Sequence, residues 1–222
     1  MIKKFCYKMD QINIDYFFPH NRIKTKRQLL KILLETTRIM LISTPIRLQD
    51  IGGKPHFKVI IDKMSRLFFF NNQKYYTIYF PFTYVVDNGE ISISYKNIVS
   101  IDSKIISQLI EILNDSRFDS EHSLDFVEPI SEIESEYDYK LWFLLKELLL
   151  IEDGYVRFDN DKESYLKAKK EKKEHTHPEN HLDIFYTAGN TFKLGLNNLS
   201  KFDEFVDFLD LRTDCKYLKN YR

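Results

Sequence analysis

The chain has 222 residues, of which 43% are hydrophobic and 15% are aromatic. This is enough apolar material for one large domain or two small ones, and it excludes a chain that is disordered by composition. Lys and Arg together number 33, as do Asp and Glu, so the formal charge is zero. No global field attracts such a protein to a polyanion, and any contact with nucleic acid needs a local basic patch.

The sequence predicts no membrane association and a cytoplasmic location. Its most apolar run, "LWFLLKELLLI" at 141–151, contains Lys146 and Glu147 and is far shorter than the roughly 20 apolar residues of a spanning helix. The start of the chain lacks the continuous apolar segment of a signal peptide. Cys6 and Cys215 stand alone near opposite ends, which favours reduced thiols.

The first half of the chain predicts a helix followed by an antiparallel meander. Leucines at helical spacing indicate a helix over 26–42, with Thr25 as N-cap and an end before Pro45. Alternating apolar residues predict strands, and Asn-Gly at 88–89 predicts a tight hairpin turn. Pro81 predicts a bulge, an edge or a break. The strand segments are 56–62, 66–70, 74–86 and 90–95.

The second half predicts three more helices and a hairpin. The helices are 104–114 with Ser103 as its cap, a core helix ending with the 141–151 run, and 201–211 beginning at Ser200. Strands are predicted at 152–159 and on either side of "AGN" at 188–190. Together these elements predict an α+β fold: an antiparallel sheet (central meander plus C-terminal hairpin) packed with about four helices in a single domain over 1–222. Residues 159–180 form a charged excursion between strands, either a solvated helix or a mobile segment.

Strand alternation brings an imidazole and a carboxylate together in the C-terminal hairpin. Side chains of a strand alternate between its faces, so His181 and Asp183 share one face while Leu182 and Ile184 point to the other. The second face matches the apolar side of Phe192, Leu194 and Leu196 across the turn.

This region supports three interpretations. His175, His177 and His181 have a spacing that suits a divalent metal. A metal-free catalytic site would use His177, His181 and Asp183, with His181 as general acid or base oriented by the carboxylate. The third interpretation is that these are polar residues at the rim of a sheet, hydrogen-bonded to backbone or water. No Gly-rich phosphate loop, Gly-x-Ser-x-Gly elbow or Cys-x-x-Cys pair is present.

Lysines within the charged excursion offer a local basic strip. It consists of Lys167, Lys169, Lys170, Lys172 and Lys173, and it could follow the phosphates of a nucleic acid. Glu163, Glu171 and Glu174 dilute the strip, so a solvated helix face is the alternative.

The last third of the chain, about 155–211, resembles a known family. Its segments are "RFD" at 157–159, "HPENHL" at 177–182, "FKLGL" at 192–196 and "LSKFDEFVDFL" at 199–209. They resemble an uncharacterised prokaryotic domain family in which an HPxxHL motif precedes a strand and a helix with a Phe-Val core. His177, Pro178, His181 and Leu182 match the motif, whereas Asp183 stands where the family pattern has a further histidine. The resemblance implies a genomic neighbourhood of mobile elements and phage-defence genes, and it implies no reaction.

These features lead to competing functional expectations. The resemblance favours a component of a bacterial defence or mobile-element system that acts through protein partners from the same operon. The alternative is a histidine- or metal-dependent nuclease or phosphoesterase-like effector that uses His177, His181 and Asp183. A third hypothesis, a small-ligand sensor, has no residue pattern of its own.

Overall fold

The protein is represented by a computed structural model that describes residues 3–10, 14–19, 23–72, 74–119, 125, 127–134, 140–187, 190–198, 201–210 and 212–214. Contacts divide the chain into two compact units. The first unit comprises Met1–Phe18, Ile46–Phe80 and Gly154–Arg222, and the second comprises Pro19–Pro45 and Pro81–Asp153. The expectation of one domain over 1–222 stays a prediction.

The first unit is built on a seven-stranded antiparallel sheet. Its strands are β1 (Lys3–Lys8), β2 (His56–Ile61), β3 (Ser65–Asn71), β4 (Lys74–Tyr79), β8 (Val156–Asn160), β9 (Asn180–Thr187) and β10 (Asn190–Leu196), in the spatial order β1-β2-β3-β4-β8-β9-β10. Strand β8 joins the meander β2-β3-β4 to the hairpin β9-β10. The α+β class predicted from the sequence is therefore confirmed.

One face of this sheet carries a ladder of aromatic rings. The ladder runs through Tyr7, Phe57, Phe69, Tyr76, Tyr155 and Phe185, with neighbouring ring centroids 4.4 to 6.0 Å apart. Aromatic side chains on neighbouring strands add directional contacts to the burial of apolar surface. A short helix, α1 (Ile14–Phe17), lies on this face, where Phe17 stacks on Phe69 and accepts a hydrogen bond from the Tyr76 hydroxyl.

The opposite face packs against the last helix, α7 (Phe202–Asp207). Phe205 is fully buried there, in a cluster that includes Phe68, Phe158 and Leu182. The helix is shorter than the predicted 201–211, because the Leu209 N–H turns back to the Val206 carbonyl in a tighter i to i+3 bond. The N-cap of this helix is Lys201. The predicted start at Ser200 lies outside the described residues, as does Cys215. Cys6 is a buried, free thiol.

The second unit contains a small sheet and four helices among the residues that the structure describes. Its elements are α2 (Lys26–Ile42), β5 (Thr83–Asp87), β6 (Glu90–Tyr95), β7 (Val99–Ser100), α3 (Ser103–Asn114), α4 (Val127–Glu134) and α5 (Lys140–Leu150). The strands are ordered β5-β6-β7. Pro81 marks a break, because the run predicted as 74–86 divides into β4 and β5, which belong to different sheets. The predicted turn is present, with Asn88 at φ +50° and Gly89 at φ +85°.

Helix caps explain where two of these helices begin. Thr25 caps α2 as predicted, and it forms a capping box with Gln28. The cap of α3 is Asp102 and not the predicted Ser103, since the Asp102 side chain accepts a hydrogen bond from the Ile105 N–H at 2.8 Å. Ser103 is therefore the first helical residue.

The charged excursion contains a solvent-exposed helix. This helix, α6 (Lys162–Lys170), begins at Asp161, whose side chain accepts from the Ser164 N–H, and none of its residues is buried. A 3₁₀ turn at Glu174–Thr176 leads on to β9. The solvated-helix interpretation therefore describes this part of the chain. In the described part of the chain, no helix combines the length and the apolarity that a bilayer crossing requires.

Candidate functional site

Three neighbouring strands place charged residues on one face of the sheet. In the register, Asp183 of β9 lies opposite Arg157 of β8 and Lys193 of β10, and His181 lies opposite Asp159. Directly paired residues share a face, so these five side chains converge. We call Arg157, Asp159, His181, Asp183 and Lys193 the polar cluster. It contains the neighbouring imidazole and carboxylate that strand alternation predicts, with His181 Nε2 3.9 Å from Asp183 Oδ1.

Ion pairs connect all members of the polar cluster. One guanidinium nitrogen of Arg157 lies 2.6 Å from Asp159 Oδ2 and 2.7 Å from Asp183 Oδ2. The ammonium of Lys193 lies 2.7 Å from His181 Nε2 and 3.1 Å from Asp183 Oδ1. His181 and Asp183 are each 1% exposed, whereas the Lys193 side chain is 32% exposed. The cluster is thus buried at its centre and accessible on the lysine side.

The backbone determines which nitrogen of His181 faces the cluster. His181 Nδ1 lies 2.8 Å from the Pro178 carbonyl oxygen, which only accepts hydrogen bonds, so Nδ1 carries the proton. The lone pair of Nε2 then points to the Lys193 ammonium, which donates to it. Burial lowers the pKa of His181 below its usual value, and the charge of Lys193 acts in the same direction. The imidazole is therefore neutral near pH 7.

A close approach between two chain segments supports this arrangement. Gly195 lies opposite His181 on β10, and a Cβ atom there would be 2.9 Å from Pro178 Cγ. Glycine therefore allows Pro178 to lie against β10 with its carbonyl directed to His181.

The carboxyl of Asp183 is ionised despite its burial. Burial alone would raise its pKa, but the nearby charges of Lys193 and Arg157 outweigh that effect and hold the pKa below its usual value. The pKa of Arg157 is raised in turn, because the carboxylates of Asp159 and Asp183 outweigh the opposing effect of burial. The cluster therefore holds two carboxylates and two side-chain cations around a neutral imidazole.

The other predicted site histidines differ in their surroundings. His177 lies beside the cluster, with its ring centroid 4.9 Å from that of His181 and its Nε2 3.2 Å from Asp161 Oδ2. His175 is exposed in the 3₁₀ turn. Among the described residues, the donor atoms that converge closely enough for a metal ion belong to Asp159, His181 and Asp183, within 4.8 Å of one another. This set shares only His181 with the predicted set of His175, His177 and His181.

The predicted nucleic-acid-binding lysines are all exposed. Lys167, Lys169 and Lys170 form the last turn of α6, and Lys172 and Lys173 follow it. Lys173 pairs with Glu171 at 3.6 Å. Asp161 caps this helix and also contacts His177, so the helix begins beside the polar cluster. The role of these lysines in binding stays a prediction.

Reasoning from the sequence missed Arg157, Asp159 and Lys193 as members of the site. A local signal existed for Lys193, because pairing the two hairpin strands around their turn brings it opposite Asp183. Arg157 and Asp159 alternate like a strand, but only the pairing of β8 with β9 brings them to His181 and Asp183.

Comparisons of this chain with family models, with curated proteins and with solved structures find no match. The resemblance of the last third to a prokaryotic domain family therefore stays a prediction.

Proposed function

We propose that the polar cluster is a catalytic site for hydrolysis of phosphate esters, with nucleic-acid phosphodiesters as the substrate class. The observation that carries the proposal is the convergence of two cations and three Lewis-basic groups on one face of β8, β9 and β10. Cleavage of a phosphate ester needs positive charge at the non-bridging oxygens and a group that activates water. The cluster contains both kinds of group within a few ångströms.

Arg157 and Lys193 are the proposed phosphate-binding groups. The two carboxylates hold the Arg157 guanidinium in one position, and a planar guanidinium suits the paired oxygens of a phosphate. Lys193 has a flexible chain that reaches solvent, so its ammonium can leave His181 and follow an incoming anion.

The proton-handling groups are Asp159, His181 and Asp183 at the centre and His177 at the margin. One of the three central residues accepts a proton from the attacking water, whose oxygen bonds to phosphorus as the bond between phosphorus and the leaving oxygen breaks. His177 is 26% exposed and is held by Asp161, so it can donate a proton to the leaving oxygen from the solvent side. These roles extend the catalytic set of His177, His181 and Asp183 that the sequence predicts.

A buried network of ion pairs can also be purely structural, so the test must separate stability from activity. Purified protein is assayed with bis(p-nitrophenyl) phosphate and with labelled single- and double-stranded RNA and DNA. We expect His181→Gln and Lys193→Met to lower the rate by about 100-fold, the usual scale for loss of a positioned catalytic group. His56→Gln is the matched control, because His56 is a buried histidine of the same unit that packs against Phe70 and Phe202.

Melting temperatures of all variants are measured with the rates. A loss of rate in the two cluster variants, with a folded protein and an active His56→Gln control, supports the proposal. Wild-type protein that cleaves none of these substrates, or cluster variants as active as wild type, would overturn it.

A protein partner is the second candidate, as a component of a defence or mobile-element system. The observation that favours a partner is Phe192, which is 50% exposed on β10 at the end of the strand order. Co-expression with the products of adjacent genes should give a complex that survives gel filtration. Phe192→Ser should weaken this complex, and a wild-type chain that elutes alone in every pairing would count against it.

A further inference from the structure

We infer that Asp159, His181 and Asp183 form a divalent-cation site in which the ammonium of Lys193 lies as a displaceable internal cation. A divalent cation would replace the Lys193 ammonium in the free protein, and the consequence of this exchange for catalysis rests on the proposed phosphate-ester hydrolysis. Cation binding itself is measured without any substrate.

The donor atoms come from two adjacent strands and face one another. His181 Nε2 lies 3.9 Å from Asp183 Oδ1 and 4.0 Å from Asp159 Oδ2. Ligands of an octahedral ion at about 2.1 Å are separated by about 3 Å, so these two distances need to shorten by about 1 Å. The Pro178 carbonyl already orients the imidazole with Nε2 inward, as a second hydrogen bond does for metal-binding histidines.

An incompletely satisfied oxygen is the second observation that points to a ligand. Asp183 Oδ1 is buried and, among the residues that the structure describes, receives no hydrogen bond. Lys193 Nζ lies 3.1 Å away and forms an ion pair with this oxygen. A buried carboxylate oxygen without a donor is unfavourable, and an inner-sphere cation would satisfy it.

Lys193 lies where the ion would bind. Its ammonium contacts His181 Nε2 and Asp183 Oδ1, two of the three donor atoms. Arg157 instead contacts Oδ2 of both aspartates, so Oδ1 of Asp183 faces only the lysine and the imidazole within the cluster. Because the lysine side chain is partly exposed, it can move to solvent while Arg157 stays in place.

The exchange has a consequence for substrate binding. Replacing one ammonium by a divalent ion adds one positive charge to the cluster interior, which suits a phosphodiester anion. The displaced Lys193 then becomes available to the same anion. One imidazole with two carboxylates favours Mn²⁺ or Zn²⁺ over Mg²⁺ and Ca²⁺, which prefer oxygen ligands alone.

The test measures Mn²⁺ binding to the full chain by electron paramagnetic resonance and calorimetry. Lys193→Met removes the competing ammonium, so we expect Mn²⁺ to bind on the order of tenfold more tightly than to wild type. Lys193→Arg retains a competing charge and should show no gain. Asp183→Asn and, at a less buried position, Asp159→Asn should lose binding, with circular dichroism and melting temperature as controls for folding.

The outcomes separate this inference from the proposed function. Equal Mn²⁺ affinity in wild type and Lys193→Met, or no binding to either at millimolar Mn²⁺, would overturn the inference. The inference is supported if Lys193→Met binds Mn²⁺ more tightly than wild type and Asp159→Asn does not bind it. If the same protein cleaves no ester, only the proposed function fails. Cleavage that persists in EDTA by a protein that binds no Mn²⁺ would retain the function and discard the cation site.

Discussion

At the residue scale, His181 depends on the residues that hold its ring. Its Nδ1 donates to the Pro178 carbonyl, and Pro178 lies against Gly195. A general base or a metal ligand must be held close to its productive orientation, so residues without chemistry of their own contribute to the site.

We predict that Gly195→Ala destabilises the protein by about 1–3 kcal/mol, the usual cost of inserting a methyl group into a packed contact. The backbone of Gly195 is not left-handed, so the cost is steric and arises from the 2.9 Å approach of Pro178 Cγ. Urea unfolding measures the change. Pro178→Ala removes the clashing ring, so the double variant should recover most of the loss. If the double variant lost as much stability as the two single variants together, the contact with Pro178 would not be the cause.

Tyr155 gives a prediction for alkaline pH. Burial raises its pKa from about 10 to about 12. The unfolded chain therefore ionises at this residue first, so its contribution to stability is complete below pH 10 and is lost as the pH rises to 12. Between pH 8 and pH 11.5, the free energy of unfolding of wild type should fall by roughly 2 kcal/mol more than that of Tyr155→Phe. Urea unfolding at pH 8 and pH 11.5 measures this, and parallel pH profiles would contradict it.

At the element scale, one position decides where α3 begins. Asp102 and Ser103 are both good caps, and the sequence pattern favoured Ser103. The extended backbone of Asp102, at φ −123° and ψ 175°, makes it the cap, and Ser103 is already helical. N-cap propensity alone does not decide which of two adjacent residues of similar capping ability is the cap.

The assignment of this cap predicts unequal effects of two neighbouring substitutions. Asp102→Ala should cost about 1 kcal/mol of stability, because the Ile105 N–H loses its acceptor. Ser103→Ala should stay within about 0.5 kcal/mol of wild type, since its exposed side chain caps nothing and alanine favours a helix. Thermal unfolding of the two variants compares them, and a larger loss from Ser103→Ala would reverse the assignment.

At the scale of the whole molecule, zero net charge makes any nucleic-acid binding local. Helix α6 carries the predicted lysines in and after its last turn, and it begins beside the polar cluster, where Asp161 contacts His177. They are exposed, so they can be replaced without disturbing a core. This isolates their electrostatic role from folding.

We predict that replacing Lys167, Lys169, Lys170, Lys172 and Lys173 by glutamine weakens single-stranded nucleic-acid binding and reduces its salt dependence. Each lost phosphate contact lowers the slope of log K against log salt by about 0.7 for single strands. A charge-matched control replaces five exposed lysines elsewhere, namely Lys8, Lys24, Lys54, Lys63 and Lys74. Fluorescence anisotropy over a range of NaCl concentrations measures both. If the control variant lost as much binding affinity, the effect would come from net charge and not from the basic strip.

Much of the fold followed from local patterns. The helix at 26–42 with its Thr25 cap, the Asn88-Gly89 turn and the alternating strands depend on neighbouring residues, so a window of sequence contains the necessary information. The division of 74–86 into two sheets did not follow, because Pro81 was compatible with a bulge, an edge or a break. The end of α7 near Asp207 also differed, since apolar spacing continues to Leu209 while the backbone hydrogen bonds change.

The sequence by itself determined that His181 and Asp183 share a face, because side chains of a strand alternate with a period of two residues. Lys193 follows from the local hairpin pairing, whereas only the tertiary structure decided that Arg157 and Asp159 join them. Arg157 and Asp159 depend on the pairing of β8 with β9, in which Arg157 lies opposite Asp183, 26 residues away in the chain. Such pairing reflects the burial of the whole sheet, and no local window of sequence contains it.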